Sequence, residues 1–129
     1  MKKVIVILSI LLVATASCEK LQNGCKETKN ASSLILSFPD SVEVAETFYL
    51  DVRYVLDNTC GEFETFEISS GQGTIDVSVV TKYEGCNCEQ QLIERTSTYP
   101  IHISVAGIYQ YRFWLSGQDW DEYTLKVYQ

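Results

Sequence analysis

The sequence predicts an all-β fold, a single antiparallel β-sandwich of two sheets with about seven strands. Three observations predict it. Beyond residue 33 the apolar residues fall in short β-branched and aromatic runs with period two. Turn signals interrupt these runs every 8–12 residues or so. None of the runs carries the stripe of apolar positions that an amphipathic helix needs. The 129 residues suffice for one domain, and 46% hydrophobic with 12% aromatic content is too apolar for a disordered chain.

The chain begins with Lys2 and Lys3 ahead of an apolar run from Val4 to Ala14. A bilayer-spanning helix needs about 20 apolar residues, so this shorter run reads as the core of a secretory signal peptide, residues 1–17. Residues 18–33 are polar and aperiodic and read as a tether, followed by a domain over 34–129. The first strand is expected at Leu34–Phe38, stopped by Pro39-Asp40. The second, Thr47–Leu56, puts Phe48, Leu50, Val52 and Tyr54 on one face. In the third, Phe63–Ser69, the residues Phe63, Phe66 and Ile68 do not share a parity, which predicts a bulge. Gly71-Gln72-Gly73 marks a hairpin into Thr74–Tyr83, with Ile75, Val77 and Val79 inward. A connection over residues 84–95 leads to Thr96–Val105, with Tyr99, Ile101 and Ile103 inward. Ala106-Gly107 turns into Ile108–Leu115, with Tyr109, Tyr111 and Phe113 inward. After a turn at Ser116–Asp121, the strand Tyr123–Tyr128 closes the domain with Leu125 and Val127 inward.

Two resemblances bear on this reading. Thr15-Ala16-Ser17-Cys18 resembles the lipobox of bacterial lipoproteins, with small residues at the two positions before the cysteine. That resemblance implies cleavage before Cys18 and a diacylglycerol thioether and fatty acyl group such as palmitate on it. The competing site, Ala14-Thr15-Ala16, suits ordinary signal peptidase cleavage before Ser17. Cysteine parity favours lipidation: without Cys18, four of the five cysteines remain, an even number for an oxidising compartment. The mature chain would then hold 8 basic against 17 acidic residues, a net charge of −9. The implied location is a bacterial cell envelope, with the membrane as a partner through the anchor. Further along, Gly107-Ile108-Tyr109 resembles the tyrosine corner of immunoglobulin-like sandwiches, and the domain resembles the Ig-like and fibronectin-like sandwiches of bacterial surface proteins. Asp40-Ser41-Val42 resembles a short bacterial O-glycosylation site.

If the strands alternate direction, Cys25, Cys60, Cys86 and Cys88 all fall at one pole. A bond between Cys86 and Cys88 would close a small strained ring. Cys25 and Cys60 are therefore each expected to bond one member of the Cys86-x-Cys88 pair, in either order, each bridge stabilising by about 2–4 kcal/mol. If Cys18 is anchored, this pole is held near the membrane and the loops at residues 39–46, 70–73 and 106–107 face away.

No catalytic constellation is legible, so the expected role is binding or structural and not enzymatic, with no cofactor. A net charge of −7 and a pI near 4.6 argue against nucleic-acid binding. The single histidine, His102, is expected on a solvent face, and Glu62, Glu64 and Glu67 along the third strand are expected to be solvated. Asp119, Asp121 and Glu122 surround Trp120 in a pattern that matches no calcium motif; Trp120 is expected to cover the cysteine pole. The candidate binding surface is Trp114 with Arg112 and Gln110, joined by Lys126 and Tyr128 of the last strand, which would suit a protein or glycan ligand; the equal alternative is that the tether or a bulge-shifted register covers Trp114. Two other readings stand beside this one. One is a secreted protease inhibitor presenting sandwich loops, for which Arg112-Phe113-Trp114 is a superficial echo. The other is a metal carrier using the cysteine thiols.

Overall fold

The computed structural model describes residues 25–129; the segments expected as signal peptide, lipobox-like motif with Cys18 and first part of a tether lie outside the described residues. Among the described residues nine strands form: β1 (Lys26–Ala31), β2 (Ser33–Ile35), β3 (Ser41–Glu43), β4 (Thr47–Asn58), β5 (Gly61–Gly71), β6 (Thr74–Glu84), β7 (Gln90–His102), β8 (Gly107–Ser116) and β9 (Asp119–Tyr128). Two sheets pack face to face, and the all-β sandwich read from the sequence is the fold observed.

One sheet is β2-β4-β7, antiparallel throughout. The other contains six strands. β5 pairs along one edge of β6, while β1 and β8 share the opposite edge, β1 against residues 79–84 and β8 against residues 74–77. β9 and then β3 extend the sheet beyond β8. The β6–β8 and β3–β9 pairs are parallel, so the sandwich is not purely antiparallel. Nine strands replace the expected seven because β1 and β3 carry no period-two apolar signal. β1 buries only Ala31 fully, and β3 is three residues long. The stretch expected as tether therefore ends in a strand. The connection expected over residues 84–95 shrinks to Gly85–Glu89, because β7 begins at Gln90, six residues ahead of the expected Thr96.

Alternation decides the core. Leu50, Val52, Tyr54, Leu56, Tyr99 and Ile101 of the three-stranded sheet meet Val77, Val79, Tyr111, Phe113, Leu125 and Val127 of the other. The bulge in β5 falls between Phe63 and Thr65, where the parity conflict put it, and lets both Phe63 and Phe66 pack inward. Aromatic rings then form a chain across the interior, from Phe63 through Phe66, Tyr99, Phe113 and Tyr123 to Phe38, with centroid spacings of 4.7–6.4 Å. Phe38 lies outside any strand and stacks on Tyr123 where the narrower sheet ends. The β5–β6 hairpin turns through Gln72 and Gly73, both with positive φ (53° and 83°), as a two-residue turn matched to strand twist requires. Tyr109 at the start of β8 donates its hydroxyl to the Val105 carbonyl at 2.6 Å, the bond expected of a tyrosine corner where the chain crosses between sheets.

The cysteines gather at one end, called here the lower pole. Cys25 bonds Cys86 and Cys60 bonds Cys88, with Cα separations of 5.0 and 5.6 Å. Gly85 sits between the two bridges with φ 136°, and a Cβ there would stand 2.9 Å from Cys60 Sγ, so only glycine fits. Lys29 reaches from β1 to an ion pair with Asp57 of β4 and lies over the Tyr83 ring, tying the two sheets beside this pole. The opposite loops, residues 39–46 and the β5–β6 and β7–β8 turns, lie at the upper pole.

Candidate binding surface

β8 and β9 form a hairpin with Trp114 directly opposite Trp120, joined through Gly117-Gln118. Their odd-numbered residues enter the core, so the even-numbered ones form the sheet's outer face. Gln110, Arg112 and Trp114 project there from β8, and Trp120, Glu122, Thr124, Lys126 and Tyr128 from β9. The parallel strand β6 contributes Thr74 beside Gln110 and Asp76 beside Arg112.

Arg112 is the centre of this face. Its Nε and Nη2 donate to the two carboxylate oxygens of Asp76 at 2.7 and 2.5 Å. Its guanidinium carbon lies 4.9 Å from the Trp120 ring centroid. The guanidinium holds the Asp76 carboxyl below the usual carboxylate range, with partial burial working against it. Trp114 donates its indole N–H to the Gly117 carbonyl at 3.0 Å, and its own carbonyl accepts from the Ser33 hydroxyl at 2.8 Å. Both tryptophans are half-buried. Thr124 donates to Gln110 Oε1 at 3.0 Å one row along.

The five residues picked from the sequence do share a face, but they do not form one cluster. Lys126 pairs with Ile108, six residues along β8 from Trp114, a distance of about 20 Å in an extended strand. Tyr128 lies beyond it, paired with Glu43 of β3. Lys126 and Tyr128 therefore do not lie beside Trp114, because the hairpin register folds β9 back against β8 from the Trp120 end. Trp120 in turn does not cover the disulfides. The β8–β9 turn points toward the lower pole but stops level with the upper part of β1, which occupies the rest of the β6 edge.

A family model of the ORF11 beta-sandwich domain matches residues 50–127, more than half of the chain. The chain belongs to the ORF11 beta-sandwich domain family. No curated protein and no solved structure matches it. The span of the ORF11 beta-sandwich domain includes Asp76, Arg112, Trp114, Trp120 and Glu122, and three of the four bridged cysteines, with Cys25 outside it.

Elsewhere in this ORF11 beta-sandwich domain the remaining candidates stand apart. His102 is exposed at the end of β7, with Nδ1 3.1 Å from the Thr47 hydroxyl. Glu62 pairs with Lys82 at 3.2 Å, and Glu62, Glu64 and Glu67 are exposed along β5, an edge strand. Alternation sends Asp121 and Glu122 to opposite faces. The Tyr123 hydroxyl donates to Asp121 at 2.5 Å, and burial together with that bond pushes Tyr123 up to about 12. Arg112-Phe113-Trp114 lies inside β8 and not in a loop, and the Cys25, Cys60, Cys86 and Cys88 sulfurs are joined in disulfides. Sequence reasoning missed Asp76 and Glu122 as neighbours of Arg112. A plain two-residue turn at Gly117-Gln118 would pair Leu115 with Trp120; a register shift between Trp114 and Ser116 instead sets Trp114 opposite Trp120 and Arg112 opposite Glu122, and no local signal announces it. Nothing local announces the parallel β6–β8 pairing that brings in Asp76.

Proposed function

We propose that this protein is a lipid-anchored module of a bacterial cell envelope, carried on Cys18, that acts by binding at the outer face of its larger sheet and not by catalysis. The observation that carries this reading is the cysteine account. Two disulfides at the lower pole use four of the five cysteines in the sequence, and the fifth, Cys18, belongs to the lipobox-like Thr15-Ala16-Ser17-Cys18. Disulfides of this kind persist in an extracytoplasmic, oxidising compartment. Cys25, the root of the tether, is itself bridged at the lower pole, so a short link from Cys18 would hold that pole near the membrane. The upper loops and the long axis of the β8–β9 face would then extend away from it.

The binding part of the reading is supported by the Trp114, Trp120 and Arg112 group, because aromatic and arginine side chains on a rigid sheet face suit recognition. The test is an intact mass of the protein extracted from membranes. The expected species begins at Cys18, carries acyl groups there and lacks four hydrogens for two disulfides; Cys18→Ala leaves the membrane fraction. A chain beginning at Ser17 with an unmodified Cys18 would overturn the anchor.

A further inference from the structure

We propose that the Trp114–Trp120 end of the β8–β9 face binds uncharged glycans, with Arg112 and Glu122 as the hydrogen-bonding pair beside the indoles. This deepens the reading of the protein as a binding module and rests on it.

The two tryptophans are the only ones in the chain, and the hairpin register sets them opposite one another on the outer face of the sheet. The core does not require them there, since Phe113 and Tyr123 fill the interior from the other side of the same strands. Arg112 is held in advance: Asp76 engages Nε and Nη2, and the guanidinium carbon lies over the Trp120 ring. Nη1 makes no hydrogen bond among the described residues, so its two N–H groups are available. Glu122 stands opposite Arg112 with its side chain exposed. A donor, an acceptor and aromatic surface thus adjoin within two rows of one hairpin.

A sugar ring matches that set. Its C–H face packs on an indole, and neighbouring hydroxyls both accept and donate, here from Arg112 and to Glu122. Charge selects among sugars. Asp76 and Glu122 outweigh Arg112 by one negative charge, and the whole chain carries −7, so acidic glycans are repelled. A cationic ligand would meet the Arg112 guanidinium over Trp120. An uncharged glycan meets neither penalty.

The test uses the full chain purified in detergent, titrated with dextran, laminarin, mannan and arabinoxylan, with polygalacturonate as the charged comparator. Because both tryptophans are at the site, selective tryptophan emission reports on it directly. A saturating change with at least one neutral polysaccharide is expected, weakened about tenfold by Trp114→Ala, in line with the worth of an aromatic contact. Glu122→Gln, a substitution at an exposed position, is expected to weaken binding severalfold with unchanged thermal unfolding, which separates ligand contact from folding. No response to any neutral polysaccharide, tighter binding of polygalacturonate, or an unaltered affinity in both variants would overturn the proposal, as would retention of an envelope protein on this face without any polysaccharide response. The acylation of Cys18 is read separately by mass, so loss of the glycan site and loss of the anchor are distinguishable results.

Discussion

Arg112 is fixed by two partners of different kinds, a carboxylate and an indole, and each can be removed separately. Because the guanidinium keeps the Asp76 carboxyl below its ordinary value, the pair contributes fully above about pH 4, the ordinary aspartate value. That contribution is lost as pH falls through the lower folded value. Asp76→Asn should therefore be less stable than the parent at neutral pH, with the difference narrowing on acidification. Urea midpoints across a pH series measure this, and a pH-independent difference would exclude the linkage. Tyr109 offers a cleaner single bond. Tyr109→Phe removes only the hydroxyl that Val105 accepts, and a net loss of about 1 kcal/mol is expected. Equal unfolding midpoints for the two proteins would show that the corner is held by packing alone.

Among elements, the strands most legible in the sequence are those with one buried face. β4 shows alternation without interruption, and β5 announces its bulge through the parity of Phe63 and Phe66. β1 was illegible because Lys-Glu-Thr-Lys-Asn-Ala contributes backbone to the edge of β6 and almost no side chain to the core. β3 was illegible because three residues cannot display a period. Both parallel pairs were hidden for another reason: hairpin signals connect only neighbours in sequence, whereas β6 and β8 meet across the whole of β7. The candidate site inherits this split. The shared face of Arg112 and Trp114 followed from parity, while their partners Asp76 and Trp120 depended on register. The link between β6 and β7 carries its own prediction. Gly85→Ala would push a methyl group toward Cys60 Sγ in a backbone conformation that alanine disfavours. Free thiols should rise above the parent's number in that variant after oxidative refolding, by thiol titration under denaturant; an unchanged number would show that the pole accommodates a side chain.

For the molecule as a whole, the two bridges close loops of different reach, with sequence separations of 61 and 28. Chain-entropy arguments assign about 4 kcal/mol to the longer and slightly less to the shorter. A sandwich of this size has total stability of only about 5–15 kcal/mol. Replacing Cys25 and Cys86 together by alanine is therefore expected to lower the unfolding temperature by more than ten degrees or so, measured by calorimetry. A change of only a degree or two would mean that the packed core suffices without the bridge.

The Cys25–Cys86 bond also determines how the domain bears load. β1 lies antiparallel along β6 with its first residue beside the last of β6, the geometry in which tension on the N-terminal side would open the hydrogen bonds one at a time. The disulfide sits ahead of the first of those bonds. Tension arriving from anything N-terminal to Cys25 passes through sulfur into Cys86, two residues beyond the end of β6, a strand flanked on both edges, and bypasses β1. Under reducing conditions the same pull would peel β1 away strand-end first. The bridge thus converts a zipper into a rivet, and the domain's resistance to being dragged is covalent at the one place where a tether would drag it.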